Sequence, residues 1–296
     1  MLQKKENIMG FCFLIPALIL ISILIIYPLI NTIYLSFRSQ LIYELKGHFI
    51  GLANYIEILQ DQDKEFWNAL SLSIIWTVVT VIAQVLLGVG AALLLNEDFI
   101  GRTLARALVL LPFFMPTISI TLMWKWLLNE NYGIFNNILI QLNIISEPIS
   151  WLGNSHFAFF SVICIAIWRF SPFVIISILA CLQTIPLELY EAAEIDGANK
   201  WVQFRNITLP AIKGVLLVVI LLRGIFMFKK VDLFLILTGG GPGTATQTLP
   251  VLIYKSAFHA MQLGKGAAYA IVVLLVSIIF ITLYMRITGK SQEEVG

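Results

Sequence analysis

The sequence predicts an all-α membrane protein with six transmembrane helices. Three observations carry that expectation. Of 296 residues, 59% are hydrophobic and only 12% are charged, against roughly 25% charged in an average soluble domain. The mean hydropathy is +0.91. The apolar residues also gather into six continuous stretches, 11–37, 69–95, 104–127, 157–182, 212–237 and 267–286. Each is long enough to supply the ~20 helical residues that cross a hydrocarbon layer of ~30 Å. So few charges cannot cover a soluble surface, which excludes an ordinary soluble enzyme, a disordered chain and a nucleic-acid binder. The stretches are unbroken rather than alternating, which excludes a β-barrel.

The first stretch follows Lys4 and Lys5 and so looks like a signal peptide. Its apolar part is longer than a signal core and no small-residue cleavage site follows, so it reads as an uncleaved helix bent by Pro16 and Pro28. Orientation follows from the short loops. With the N-terminus inside, the inner segments hold Lys4, Lys5, Arg102, Arg106, Lys200, Arg205, Lys213, Arg286 and Lys290, whereas the outer ones hold only Arg38, Lys46, Lys64, Lys255 and Lys265. The expected organisation is a cytoplasmic N-terminus over 1–10, a transmembrane domain over 11–286 and a cytoplasmic tail over 287–296. No outer segment is long enough for a large inserted soluble domain. Cys12, Cys164 and Cys181 lie in apolar runs and read as small apolar residues. His48, His156 and His259 are scattered, so neither metal nor cofactor is expected.

The longest inner loop, 183–211, is different in kind. Residues 191–210 read EAAEIDGANKWVQFRNITLP. Glu191, Ala192 and Ala193 are followed after three residues, the last of them Asp196, by Gly197. Nine residues later come Ile207, Thr208, Leu209 and Pro210. Pro186 suits the start of a helix, Glu188, Glu191 and Glu194 suit its N-terminal half, and Gly197 can end it in a left-handed turn. Two physical readings of this segment stand: a helix that docks on a partner, or one lying on the lipid interface. Its acidic start poorly suits an anionic membrane surface.

This spacing resembles the E-A-A, G, I-x-L-P motif of permease subunits in ATP-binding-cassette importers, and every fixed position matches. The resemblance narrows to the maltose-type carbohydrate-uptake branch at TGGGPGTATQTL (238–249), GLANYIEILQDQDKEFWNAL (51–70) and WRFSPF (168–173). It departs from that type in having neither extra N-terminal spans nor a large outer domain, which argues against maltose itself. The resemblance implies a type I importer permease fold and an ATPase-coupling role for Glu191, Ala192, Ala193, Asp196, Gly197, Ile207, Leu209 and Pro210. It also implies partners: a second permease subunit, two ATPase subunits or a homodimeric ATPase, an external solute-binding protein and membrane lipid. The implied location is the bacterial cytoplasmic membrane, with both termini inside.

Charges inside the spans are costly, about 2.5–3.5 kcal/mol for a central arginine on insertion scales. Arg169 falls near the middle of the fourth stretch and Arg223 halfway along the fifth, with Lys229, Lys230 and Asp232 toward its outer end. They face a watery cavity, snorkel, or make structural contacts. Carried over without gaps from the E-A-A glutamate, the sugar-contacting positions of the maltose type fall on Arg223, Phe226, Met227 and Lys230, which share one helical face by their three- and four-residue spacing, with Arg169, Phe170 and Phe173 beside them. Cations stand where the relative has small polar groups, so the expected solute is anionic or strongly polar, an acidic sugar or a phosphorylated polyol.

The chemistry of ATP hydrolysis is not in this chain. Gly289-Lys290-Ser291 has Tyr284 where a phosphate loop needs its first glycine, and no strand precedes it. Two rivals remain: a secondary transporter or channel working alone, which would need ion-coupling acids beyond Asp232, and a membrane-embedded enzyme, for which acidic clusters are absent.

Overall fold

The computed structural model describes residues 14–60 and 64–293, with side chains as far as Thr288. Lys4, Lys5 and Cys12 lie outside the described residues. Among these residues five helices are long and apolar enough to span a membrane, and six such segments stand if one bent pair is counted as a single span. The elements in order are α1 (Leu14–Ser36), β1 (Arg38–Ser39), β2 (His48–Phe49), α2 (Ala53–Leu59), α3 (Glu65–Asn96) and α4 (Arg102–Phe114). Then come α5 (Thr117–Leu127), α6 (Ile134–Gln141), α7 (Ser155–Leu182), α8 (Leu187–Ile195), α9 (Lys200–Phe228), α10 (Asp232–Leu237), α11 (Leu249–Tyr254) and α12 (Leu263–Glu293).

Two expected spans are corrected. The stretch 104–127 is not one helix: α4 and α5 meet at 96°. Pro116 has no N–H to offer the Pro112 carbonyl four residues back, and a residue before proline is pushed to extended backbone. Met115 duly sits at ψ 143°. The stretch 212–237 is likewise not continuous. α9 ends at Phe228, Lys229–Val231 unwind, and α10 restarts at Asp232. α12 in turn runs past the expected limit of 286 to Glu293. At Pro28, α1 stays helical and absorbs the missing donor in a wide turn over Ser22–Ile26, where the Tyr27 N–H reaches back to the Ser22 carbonyl.

The chain divides into two compact units. The first comprises Met1–Phe66 and Leu252–Val276. In it β1 and β2 form a hairpin, extended by main-chain bonds from Ile42 N to Met261 O (2.8 Å) and from Gly264 N to Gln40 O (3.2 Å). Asn54 donates to the Ser36 carbonyl at the end of α1 and to the Arg38 carbonyl in β1. Lys265 pairs with Glu57 at 2.7 Å.

The second unit comprises Trp67–Val251 and Ser277–Gly296. Its core has two layers. One joins Ala92, Leu95, Val174, Ile178, Ile212 and Val219, from α3, α7 and α9. A Cβ at Gly88 would lie 2.5 Å from Val174 Cγ1, so only glycine lets α3 approach α7 this closely. The other layer joins Trp76, Val162, Ala166, Phe170, Met227, Leu233 and Phe234. α10 packs on α5, so the second halves of the two broken spans lie together.

Candidate functional site

Two groups of residues stand out in the second unit. The first is the loop with the E-A-A motif. α8 follows Pro186 and buries none of its residues. Asp196 caps it, Gly197 sits at φ +79°, and the Gly197 and Ala198 amides bond back to the Glu194 and Ala193 carbonyls at 3.0 and 2.8 Å. That doubled return needs a left-handed residue and explains the glycine. Asn199 then caps the start of α9 by accepting from Val202 N.

Glu188 is in the first turn of α8, but Glu194 is in the last, where it pairs with Lys200 at 3.8 Å. The expected gathering of all three acids in the N-terminal half is therefore corrected. α8 is tied to the base of α9 by Tyr190 and Thr208, whose hydroxyls are 2.9 Å apart, and by Gln203, which donates to Glu194 and to the Ala198 carbonyl. Glu191, Ala192 and Asp196 are exposed and Ala193 half-buried. Ile207, Leu209 and Pro210 lie within α9, Ile207 half-buried and the others exposed. Leu187, Leu189, Ile195 and Trp201 present apolar surface beside them. α8 is thus anchored to α9 while its apolar residues stay uncovered, and grouped exposed apolar residues are a common mark of interaction surfaces.

The second group lies where the broken spans meet. Arg169 on α7 donates to the Pro112 carbonyl (3.3 Å), the Met115 carbonyl (3.0 Å) and Thr117 Oγ1 (2.9 Å). The first of these is the acceptor that Pro116 leaves empty. The guanidinium thus replaces a missing backbone donor and clamps both sides of the α4–α5 bend. The break in α9 is capped in a similar way, because Trp76 Nε1 donates to the Met227 carbonyl at 2.9 Å.

Phe170 is the hub. The guanidinium carbons of Arg169 and Arg223 lie 5.3 and 5.0 Å from its ring centre, and Lys230 Nζ lies 4.9 Å from it. Arg223 is also 5.6 Å from the ring of the half-buried Phe173. Its Nε donates to Gln84 Oε1 at 2.9 Å, and its Nη2 lies 3.7 Å from Met227 Sδ. Lys230 pairs with Asp232 at 3.0 Å, and Asp232 also accepts from Leu233 N. Arg169 and Arg223 are 5% and 4% exposed, whereas Lys230 and Asp232 are only partly buried.

The structure therefore brings together Arg169, Phe170, Phe173, Arg223, Met227, Lys230 and Asp232. It does not bring Phe226, which is 60% exposed. The expectation of one helical face for 223, 226, 227 and 230 is corrected, because Lys230 reaches Phe170 from unwound backbone. Gln84 and Trp76 escaped the sequence reading. A lone amide in an apolar run and two prolines four residues apart were the signals that could have found this polar junction.

Comparison with known proteins places these features. A family model described as the inner membrane component of binding-protein-dependent transport systems matches residues 84–290. The chain is 35% identical to the trehalose/maltose transport system permease protein MalF of Thermococcus litoralis, covering 99% of this chain and 97% of that one. It is 36% identical to the sulfoquinovosyl glycerol transport system permease protein SmoG of Agrobacterium fabrum, covering 97% and 92%. It shares the fold of a chain in a bacterial transporter that imports the acidic polysaccharide alginate, with a TM-score of 0.83 over 97% of this chain and 96% of that one, at 21% identity.

Proposed function

The chain belongs to the family of binding-protein-dependent transport system inner membrane components, and on that premise we propose that it forms half of a membrane pathway for carbohydrate uptake. It is a multi-pass permease subunit of an ATP-binding-cassette importer. It works with a second permease subunit, with ATPase subunits and with an external solute-binding protein that delivers the sugar. ATP hydrolysis is the work of the separate ATPase, and both termini of this chain face the cytoplasm.

The observation that carries the reading is the anchored, uncovered helix α8 with its E-A-A motif. When the ATPases close on ATP, the docked α8 moves with them. The Tyr190–Thr208 and Gln203 contacts make α8 and the base of α9 move as one piece. α9 carries Arg223 and ends at the unwound segment holding Lys230, so motion at the docking helix is delivered to the polar junction. The direction of access follows from which state ATP binds better; no covalent step occurs in this chain.

Affinity purification tests it. The chain brings down an ATPase, and Glu191→Lys or Gly197→Asp loses that ATPase while the second permease stays bound. A chain that transports solute with no ATPase bound defeats the proposal.

A further inference from the structure

We propose that the cations around Phe170 form an anion subsite in the solute pathway, so that the saccharide carried bears an acid group. This rests on the carbohydrate-importer reading and adds the charge of the solute to it.

The first argument is charge balance. Three cations surround one ring, each within 5.3 Å of its centre. One carboxylate, Asp232, accompanies them, and it is engaged by Lys230 and by Leu233 N. Among the described residues neither Arg169 nor Arg223 has an ion pair. Arg169 donates to two carbonyls and a hydroxyl, with its buried Nε left unpartnered, and Arg223 meets an amide oxygen, a thioether and two rings. Buried charges are ordinarily paired, and π faces and one amide only partly replace a counter-ion.

The second argument is access. Non-helical backbone at membrane depth is tolerated only inside protein or against a water-filled cavity. Lys229–Val231 is such a segment, and Lys230 on it is the most open of the three cations, its side chain 20% exposed and that of its partner Asp232 38%.

The third is division of labour. Arg169 is fixed on the α4–α5 bend and Arg223 on Gln84, so both supply a rigid positive field. Lys230 can exchange Asp232 for an incoming acid group. The half-buried Phe173 ring beside Arg223 offers an apolar surface to a sugar face.

The test uses the full complex, with second permease, ATPase and binding protein, in proteoliposomes. The probes are hexuronate-containing disaccharides of the gluco, manno and galacto series, each paired with its neutral counterpart. We expect ATP-driven uptake of at least one acidic probe to exceed that of its neutral partner. Lys230→Gln lowers that preference at least tenfold, whereas the exposed neighbour variant Lys229→Gln keeps it. Arg223→Gln, where the complex still assembles with its ATPase, lowers it as well. Equal or greater uptake of the neutral probes, or a preference untouched by Lys230→Gln, overturns the anion subsite and leaves the importer reading standing. Uptake of no saccharide at all overturns the carbohydrate reading itself.

Discussion

Replacing Arg169 with methionine tests the polar junction at its most constrained point. The side chain keeps its apolar stem but loses the guanidinium, and with it the bonds to the Pro112 carbonyl, the Met115 carbonyl and Thr117 Oγ1. Hydrogen bonds to a charged group contribute about 1.5–3 kcal/mol each, although polar contacts inside membrane proteins have measured nearer ~0.6 kcal/mol. Removing the charge gives back part of the ~2.5–3.5 kcal/mol insertion cost. Two of the stranded acceptors belong to a backbone break that has no other donor, because Pro116 cannot supply one. The net destabilisation is therefore about 2–4 kcal/mol, toward the upper end of ordinary single substitutions. The assay is thermal unfolding of the purified complex in lipid nanodiscs, with Arg169→Lys as the second variant. Methionine lowers the midpoint by several degrees. Lysine, a point charge that cannot fork, falls between the two. A methionine variant that unfolds with the parent's midpoint refutes the clamp.

Three further outcomes are expected. Gly197→Val strains the left-handed turn at φ +79°, at a cost of roughly 1–2 kcal/mol; it reduces ATPase co-purification while leaving expression near normal. Gly88→Leu forces α3 off α7, since even a Cβ there lies 2.5 Å from Val174 Cγ1; overpacking of about 1–3 kcal/mol shows as a lowered unfolding midpoint. A reporter enzyme fused after Gly296 is active only in the cytoplasm, and activity on the outer side defeats the orientation.

Much of this was readable from residues alone because it rests on local or strongly patterned signals. The spans follow from apolar length, and the end of α8 follows from Gly197, whose missing side chain has a purely local consequence. The E-A-A pattern is legible because its residues lie within twenty positions of one another, from Glu191 to Pro210. What escaped depends on partners far apart in sequence. Arg169 reads from the sequence as a costly cation in a span, and nothing local shows that its guanidinium also ties down carbonyls 57 and 54 positions earlier. The bend itself had a local cause in Pro112 and Pro116, but apolar length outvoted it. The periodicity that puts Lys230 on a helical face stops at Phe228, and no residue type there forces the helix to end. Gln84 signals a polar spot in an apolar span, but its role has meaning only once Arg223 is known to face it.

ATP-driven uptake is the decisive measurement. Vesicles holding the chain, its second permease, the ATPase and a loaded binding protein should accumulate saccharide only with ATP, and Glu191→Lys in α8 should abolish that accumulation without removing the binding protein's ligand. Accumulation by vesicles holding this chain alone, or undiminished uptake by the Glu191→Lys complex, would contradict a permease driven through its docking helix.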